Sequence, residues 1–465
     1  MAPAAPWDSV PARDTLFVLV TGANSGVGHG ICERLIDEFL STRNRTSHLV
    51  LLPTTRSARK SSETVSLLRG YLVRAASSRA SPQEAAVARV HISSVQLDLC
   101  DLSTVQRAAD QLLSGTVPFE GLGELRIPRL DAVIFNAGLG GWSHVSWFGF
   151  FWDIVTQGWV QATTRPRSKR SKPGLTVKPL PGQEDSLGLV FCANVFGHYL
   201  FAHYLVPLLS RPDQPTNGGI QQDGDGVVPA PARIIWQSSV DPALRHFSLD
   251  DFQALKSTAA YESSKMLTDL LCLTAALPST ARFSSRYLSS SLPSSSSSHT
   301  PKIYLAHPGI VATTMFPLHF TLMWAYILGT SISRWLGSPW HPVVPYKAAV
   351  ATVWLALSSQ AELDAQGAGS SKWGSCTDFW GNTMVKRTEV DGWGWTGNVE
   401  SPEHMEKEDA GAIRVLRKSV GRSARAIMVT EESRAEFEEI GAKCWAKMES
   451  LREEWEGKIS PSKAG

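Results

Sequence analysis

The sequence predicts an α/β fold of the doubly wound, Rossmann-like type, with a mostly parallel sheet and peripheral insertions. Short apolar runs recur along the chain, segments with helical spacing lie between them, and the first run ends at a glycine-rich turn. Strands that alternate with helices are typical of βαβ units, in which helical crossovers join parallel strands. We therefore treat residues 1–465 as a single Rossmann-type catalytic domain.

The predicted elements follow in order along the chain. The strands are runs that a central sheet would bury, at 15–20, 48–52, 91–97, 131–135, 233–237 and 302–306. The helices carry apolar residues at helical spacing, at 25–40, 62–76, 101–114, 186–209 and 260–277. Within a C-terminal helical extension, 399–465, the charged segment 431–457 has the spacing of an amphipathic surface helix.

Three segments interrupt this alternation and are predicted to lie at the periphery of the sheet. The insertion 141–185 is rich in tryptophan and then basic, with a run at 165–172 that predicts either lipid-headgroup contact or a solvated loop. Residues 211–231 have the composition of a solvent-exposed loop insertion. Residues 284–298 hold ten serines in fifteen positions, which predicts a linker that does not pack.

A fourth segment, 312–345, contains the most apolar long stretch of the chain, at 316–337. Its 22 residues approach the length of about 20 that a helix needs to span a bilayer. Pro317, His319 and Arg334 interrupt it. We expect either a substrate lid or a membrane contact, and the two are compatible.

Composition excludes several classes of protein. The chain has 45 Lys and Arg against 43 Asp and Glu, a formal charge of +2, which argues against a nucleic-acid binder. Its six cysteines form no CxxC pair, so we expect neither a zinc ribbon nor another metal site, and reduced thiols fit a cytosol-facing protein. The 16 tryptophans indicate an interfacial surface.

The glycine-rich turn predicts a dinucleotide site. The sequence TGANSGVG at 21–28 follows the first strand and opens the first helix. Glycines let the backbone approach a pyrophosphate, and a helix N-terminus offers free N–H groups; the alternative is a tight turn without a ligand. The predicted contacts are Thr21, Gly22, Asn24, Ser25, Gly26, Val27 and Gly28, with Asn136, Ala137 and Gly138, whose small size at the end of the fourth strand leaves room for the cofactor.

Charges after the second and third strands indicate which dinucleotide binds. The second strand is followed by Arg56, Arg59 and Lys60 and by no carboxylate, which favours the 2′-phosphate of NADP(H) over NAD(H). The alternative is a solvated basic loop. Asp98 could accept from the adenine amino group, or Asp98 or Asp101 could cap the next helix.

A set of polar residues predicts proton-transfer chemistry. Tyr261 and Lys265 stand four residues apart, on one face of a helix. A free tyrosine has a pKa of about 10, and a neighbouring ammonium lowers it toward the range useful for acid and base catalysis. Ser238 and Ser239 end a strand and could hydrogen-bond a carbonyl oxygen, and Asn194 lies among apolar residues, which suits a buried polar role such as a proton relay.

Together these motifs resemble the short-chain dehydrogenase/reductase family. The matching residues are TGANSGVG (21–28), NAG (136–138), Asn194, Ser238-Ser239, YESSK (261–265) and HPGIVAT (307–313), spread over about half the chain. The resemblance implies a seven-stranded parallel sheet, Tyr261 as acid and base, and Lys265 at the nicotinamide ribose. It also implies Ser239 at the substrate carbonyl, Asn194 in a proton relay, and cofactor contacts from Pro308, Gly309, Val311 and Thr313.

One departure from the family pattern leaves the catalytic serine open. Ser239 and Tyr261 are 22 residues apart, more than is usual in the family, so Ser238, Ser239 and Ser248 all remain candidates. The stretch FSLDDFQ at 247–253 and the apolar region after PGIVAT are similar to those of the fungal 3-ketosteroid reductases of ergosterol biosynthesis.

This narrower resemblance implies a specific reaction and location. The reaction is NADPH-dependent reduction of the C3 ketone of a sterol intermediate to a 3β-hydroxyl during C-4 demethylation. The implied location is the cytosolic face of the endoplasmic reticulum membrane or a lipid droplet, with peripheral or monotopic attachment and other sterol-biosynthesis enzymes as candidate partners. The alternatives are a reductase of another lipophilic carbonyl, such as retinal, and a scaffold for membrane-bound sterol enzymes.

Overall fold

The computed structural model describes residues 5–79, 82–166, 169–210, 230–240, 242–289, 300–313, 320–399 and 429–459. The strands in these ranges are β1 Thr15–Val20, β2 His48–Thr55, β3 Val90–Ile92, β4 Val95–Gln96, β5 Val117–Phe119, β6 Gly123–Leu125, β7 Ala132–Phe135, β8 Trp142–Val145, β9 Lys169–Ser171, β10 Thr176–Val177, β11 Leu187–Gly188, β12 Arg233–Gln237, β13 Lys302–His307, β14 Lys372–Thr377 and β15 Thr383–Thr388.

The helices of the same ranges are α1 Gly26–Thr42, α2 Ala58–Ser77, α3 Gln83–Val87, α4 Leu102–Ser114, α5 Trp147–Gln157, α6 Trp159–Thr164, α7 Leu189–Leu209, α8 Ala260–Thr274, α9 Ala281–Tyr287, α10 Phe320–Trp335, α11 Pro345–Ala348, α12 Val350–Leu357, α13 Gln360–Ala365 and α14 Glu431–Ile459. Helix α7 contains a π-helical turn, Cys192–Phe196. Short 3-10 helices cover Pro6–Ser9, Ala12–Asp14, Leu244–His246, Leu249–Asp251 and Ala368–Ser370.

The central sheet confirms the predicted doubly wound fold. Its strand order is β3-β2-β1-β7-β12-β13-β14-β15, and β4 pairs with β2. Every pair is parallel except β14 and β15, so the seven parallel strands that the resemblance implies are present, and β4 and β15 extend the sheet. The chain changes direction across the sheet between β1 and β7, the topological switch point at which such folds bind ligands.

Both faces of the sheet are buried, which explains why its strands appear in the sequence as continuous apolar runs. Side chains alternate along a strand, so Phe17 and Leu19 enter the core on one face. Val18 and Val20 enter the core on the other face, against helix α1. This packing holds the ends of β1 and β7, and the turn that follows β1, in fixed positions.

The C-terminal helix α14 spans the segment predicted to be an amphipathic surface helix, and its apolar side chains are buried in the core. Phe437, Trp445 and Met448 are fully buried in the same core as one face of the sheet. The indole N–H of Trp445 donates to the carbonyl of Leu271 at 3.2 Å. The helix therefore covers α8, which carries the Tyr261-Lys265 pair.

The three segments predicted to lie at the periphery of the sheet have different outcomes. Residues 211–229 and 290–298 lie outside the described residues. The linker prediction is wrong for the start of the 284–298 segment, because α9 extends to Tyr287 and buries both Ser284 and Tyr287. The insertion 141–185 is ordered into β8, α5, α6, β9 and β10.

The structure does not identify a span at 316–337. Among the described residues, α7 is the one helix that is long and apolar enough to cross a membrane, and 83% of its most apolar window is buried inside the protein. We therefore interpret α7 as a core helix. Of the apolar stretch, α10 is described and residues 316–319 are not.

Candidate active site

A cavity of about 400 Å³ lies at the switch point of the sheet. The predicted residues that line it are Gly22, Asn24, Ser25, Gly26, Val27, Arg56, Asp98, Asn136, Ala137, Gly138, Tyr261, Lys265, Pro308 and Thr313. Sequence reasoning missed further lining residues, among them Thr54, Leu97, Cys100, Leu139 and Gln237. Thr21, Gly28, Asn194, Ser239, Gly309 and Val311 are not in the lining, and their positions are described below.

The turn between β1 and α1 packs closely against the end of β7. Gly22 has a φ of +64°, and a Cβ there would lie 2.8 Å from the Cα of Ala137. A Cβ on Gly28 would lie 2.5 Å from the side-chain nitrogen of Asn136. The hydroxyl of Thr21 accepts from the backbone N–H groups of Asn136 and Ala137, both at 3.0 Å. Thr21 and Gly28 thus hold the turn against the end of β7, and Gly22 and residues 24–27 line the cavity.

The charged residues that the sequence predicts around the dinucleotide have different surroundings. Arg56 lines the cavity, whereas Arg59 is 80% exposed and pairs with Glu63 at 3.3 Å. Asp98 is the carboxylate among the lining residues, and it accepts from the backbone N–H of Cys100 at 3.0 Å. Asp101, and not Asp98, caps α4 by accepting from the N–H of Ser103 at 3.0 Å.

Tyr261 and Lys265 face the same cavity from helix α8. The Lys265 ammonium lies 5.8 Å from the centroid of the Tyr261 ring. It donates to the carbonyl of Gln237, at the end of β12, at 2.7 Å. Burial lowers the pKa of Lys265 to about 8, and the nearby Asp269 carboxylate opposes that decrease.

The three candidate serines have different surroundings. Ser238 lines the cavity, but its hydroxyl donates to the buried carboxylate of Asp269 at 2.5 Å. Ser239 follows it at the end of β12 and is half-buried. Ser248 is exposed and caps the 3-10 helix Leu249–Asp251 by accepting from the N–H of Asp250 at 3.2 Å. The donor of Ser238 is therefore already used, and Ser248 has a structural role.

Asn194 lies in the π-helical turn of α7, and its side chain bridges neighbouring elements. Its oxygen accepts from the N–H of Leu139 at 2.8 Å. Its nitrogen donates to the carbonyl of Leu139 at 3.1 Å and to the hydroxyl of Ser264 at 3.0 Å. These contacts join the segment after β7 to helix α8, so the amide group holds the wall of the cavity in place.

The segment after β13 supplies a further wall. Pro308 and Thr313 line the cavity, while Gly309 has a φ of +71° and donates its N–H to His307 at 3.1 Å. Val311 forms a β-bridge with Val343. Gly309 and Val311 therefore shape this segment, and their neighbours face the cavity.

An aromatic side chain from the 141–185 insertion packs on the active-site tyrosine. The Trp142 ring lies 4.9 Å from the Tyr261 ring, centroid to centroid, and the Lys169 ammonium lies 4.9 Å from the Trp142 ring. The antiparallel pair of strands β8 and β9 carries Trp142 and Lys169, and Ser171 at the end of β9 donates its N–H to the carbonyl of Thr258 at 2.8 Å. The tryptophan content was the signal for this contact, but it did not identify Trp142.

Comparison with known proteins gives close relatives. No protein-family model matches the chain. The 3-keto-steroid reductase ERG27 of Gibberella zeae is 44% identical over 481 residues, covering 99% of this chain and 98% of that protein. The corresponding protein of Aspergillus fumigatus is 39% identical, covering 97% and 96%. Among solved structures, a 3-oxoacyl-[acyl-carrier protein] reductase from Brucella melitensis in complex with NAD aligns with a TM-score of 0.38 and 15% identity, covering 76% of this chain and 93% of that chain.

The doubly wound sheet, the glycine turn and the Tyr261-Lys265 pair define an oxidoreductase of the short-chain dehydrogenase/reductase class. The identity to curated relatives over nearly the whole length then gives the narrower group. The chain belongs to the 3-keto-steroid reductase family. The predicted class and family are thereby confirmed, while the nucleotide and the role of each site residue stay predictions.

Proposed function

We propose that this protein reduces the C3 ketone of a sterol intermediate to a 3β-hydroxyl with NADPH, during C-4 demethylation in ergosterol biosynthesis. The observation that carries the proposal is the convergence of Tyr261 and Lys265 on a glycine-lined cavity. It occurs in a chain whose relatives at 44% and 39% identity are 3-keto-steroid reductases.

The cavity suits a dinucleotide, because it lies at the switch point of the sheet, and Gly22 and Gly26, which carry no side chain, line it. When bound, NADPH supplies a hydride to the ketone carbon. The residues that would hold it are those of the 22–28 turn, Asn136 to Gly138, Pro308 and Thr313, with Asp98 at the adenine. Arg56 on the rim supports the choice of NADP(H), because a guanidinium matches a phosphate in charge and geometry.

Tyr261 is the proposed proton donor to the ketone oxygen. The buried ammonium of Lys265 favours the phenolate, so it makes the phenol a stronger acid at neutral pH. Ser239 is the proposed donor that orients the carbonyl, since the hydroxyl of Ser238 is held by Asp269 and Ser248 is a helix cap. The Lys265 ammonium is held by the carbonyl of Gln237, which limits the reorganisation that this group needs during the reaction.

An apolar cluster beside Tyr261 supports an apolar, flat substrate. Val190, Ala254 and Ala260 form a buried cluster with Tyr261, and Leu139 and Trp142 pack against it. An indole ring presents a large, rigid apolar surface, which favours binding of a fused-ring substrate. The insertion 141–185, which carries Trp142, is accordingly proposed as part of the sterol pocket.

Two helices support the proposed attachment to the surface of the endoplasmic reticulum membrane or a lipid droplet. Helix α5 exposes Phe148, Phe151, Trp152 and Val155, which recur at helical spacing and are 58–82% exposed. Helix α10 exposes Trp324 and Leu328, and its Gly329 carbonyl accepts from the Trp159 indole of α6 at 3.1 Å. An apolar helix face exposed to water is typical of a monotopic contact, and sterols partition into the same membrane.

The basic run 165–172 contributes less to this contact than its sequence suggests. Arg165 donates to the carbonyl of Val240 at 2.9 Å, and Lys169 lies over Trp142. Arg170 and Lys172 are exposed and are the proposed contacts for anionic headgroups. Other sterol-biosynthesis enzymes on the same membrane remain proposed partners.

A reductase assay tests the proposed function. Purified protein is mixed with NADPH and either a 3-ketosterol or retinal, and cofactor oxidation and the 3β-alcohol are measured. We expect sterol turnover that exceeds retinal turnover and is lost in Tyr261→Phe; absence of sterol turnover would contradict the proposal. If Tyr261→Phe still supports sterol synthesis in cells that require the protein, scaffolding is its main role.

A liposome flotation assay tests the membrane contact. Val155→Glu places a charge on the exposed face of α5, and Val73→Glu places the same charge on an exposed position of α2. We expect parent protein and Val73→Glu to float with liposomes of neutral and anionic phospholipid, and Val155→Glu to float less. Equal flotation of the three proteins would contradict the proposed surface.

A further inference from the structure

A buried ion pair lies one helical turn beyond Lys265 and outside the mechanism described above. Asp269 on α8 accepts from the ammonium of Lys372 on β14 at 2.6 Å, and the two side chains are 1% and 2% exposed. The other oxygen of the same carboxylate accepts from the hydroxyl of Ser238. Helix α8, strand β12 and strand β14 therefore meet at one carboxylate beneath the cavity.

The pair occupies a carboxylate that lies one helical turn from Lys265. Lys265 and Asp269 are four residues apart on α8, a spacing at which opposite charges pair. Instead, the Lys265 ammonium donates to the carbonyl of Gln237 at 2.7 Å, and Lys372 occupies the carboxylate. Burying a charge costs free energy unless the charge is paired. A second buried cation, Lys372 on β14, therefore indicates a specific role at this position of the core.

We propose that Asp269 and Lys372 are positioning residues for Lys265: Lys372 holds the Asp269 carboxylate, so Lys265 stays on the Gln237 carbonyl and faces Tyr261. Asp269 also accepts from the hydroxyl of Ser238, the residue next to Gln237. This contact helps to position the Gln237 carbonyl, which accepts from the Lys265 ammonium. The inference rests on the proposed reductase function and assigns it two residues that do not line the cavity.

The charges around Lys265 support the positioning roles proposed for Asp269 and Lys372. The groups that face it are Tyr261, Asp269 and Cys272 on α8, Lys372 on β14 and His198 on α7. Burial raises the pKa of the Cys272 thiol and lowers the pKa of His198 to about 3, so both are neutral. The Asp269 carboxylate raises the pKa of Lys265 and the Lys372 ammonium lowers it. Asp269 and Lys372 therefore adjust the charge of the Tyr261-Lys265 pair in opposite directions.

The pH dependence of ketosterol reduction tests the inference. The alkaline limb of kcat/KM reports the coupled titration of Tyr261 and Lys265, which must both be protonated. Asp269→Asn removes a negative charge, so we expect the limb to move to lower pH by about one unit, a tenfold change in the proton affinity. Lys372→Met removes a positive charge and frees Asp269 for Lys265, so we expect a limb at higher pH and a lower kcat.

Further variants separate positioning from a loss of folding. Lys372→Arg keeps the charge and should keep the parent profile. The double variant Asp269→Asn, Lys372→Met removes both charges and should return the limb close to that of the parent. Lys302 and Asp364 form a matched exposed pair at 2.8 Å, so Lys302→Met and Asp364→Asn are controls with an unchanged profile.

Three results would overturn the inference. The first is a pair of folded single variants with the parent profile and parent kcat. The second is a double variant whose alkaline limb does not return toward that of the parent, but stays displaced as far as in the more strongly displaced single variant. The third needs no variant: we expect the parent limb well below pH 10, the ordinary pKa of tyrosine, and full activity at pH 10 would contradict the proposed charge setting. A parent without ketone reduction would instead contradict the proposed function itself, so the two failures are distinguishable.

Discussion

Replacing Lys265 by methionine tests the electrostatic role that we assign to its ammonium. Methionine retains much of the length of the side chain and removes the charge. The ammonium lies 5.8 Å from the centroid of the Tyr261 ring. A unit charge at this distance, with an effective dielectric constant of about 20, stabilises the phenolate by about 3 kcal/mol, or about two pKa units. We therefore expect the pKa of Tyr261 to rise by about two units in Lys265→Met.

The assay is steady-state reduction of a 3-ketosterol with NADPH between pH 6 and 10. A phenol that is weaker by two units should lower kcat/KM by about 10- to 100-fold near neutral pH and move the alkaline limb upward. Lys302→Met, an exposed lysine outside the cavity, is the matched control. A folded Lys265→Met protein would refute the reasoning if its kcat/KM were within threefold of that of the parent. A threefold change corresponds to less than about 0.7 kcal/mol of activation free energy.

The remaining predictions concern specificity and stability. Arg56→Asp should lower the preference for NADPH over NADH by about 10- to 100-fold, since it replaces a charge-assisted phosphate contact with a repulsive one; an unchanged ratio of the two kcat/KM values would exclude that contact. Trp142→Ala should raise KM for a 3-ketosterol more than KM for cyclohexanone, because the sterol would cover more of the apolar surface beside Tyr261 than the small ketone does; equal effects would contradict the proposed sterol contact. Tyr287→Ala removes a buried ring that is stacked on Tyr199 with 4.0 Å between ring centroids. It should lower the free energy of unfolding, measured by urea titration, by about 3–5 kcal/mol. A loss of less than about 1 kcal/mol would contradict the packing role of Tyr287. Deletion of 290–298 should leave activity nearly intact, and loss of soluble protein would show that this serine-rich stretch is needed for folding.

Much of the fold could be predicted because the sheet is buried on both faces. Strands such as β1 and β12 are continuous apolar runs, and the amphipathic helices between them have clear spacing. Strands β14 and β15 were missed because KWGSCT and TMVKRT contain no such run. Lys372 has the appearance of a surface residue in the sequence, and only its pairing with Asp269, 103 positions away, explains its burial.

The candidate site was predicted where local motifs carry it and missed where distant segments meet. The glycine turn and the Tyr261-Lys265 spacing are set by one turn and one helix, so a short stretch of sequence contains them. The contact between Trp142 and Tyr261 depends on how an insertion folds back, and the bond between Ser238 and Asp269 joins a strand to a helix. The sequence could therefore indicate candidate serines without showing that the hydroxyl of Ser238 is bound to Asp269.

The central claim is that Tyr261 and Lys265 act beside a bound nicotinamide dinucleotide in this cavity. A crystal structure of the protein with NADP⁺ and a sterol tests it most directly. We expect the nicotinamide between the glycine turn and Tyr261, the 2′-phosphate at Arg56, and the sterol oxygen within hydrogen-bond distance of the Tyr261 hydroxyl. Density for the dinucleotide at another site, or a Tyr261 side chain turned away from the nicotinamide, would contradict the account.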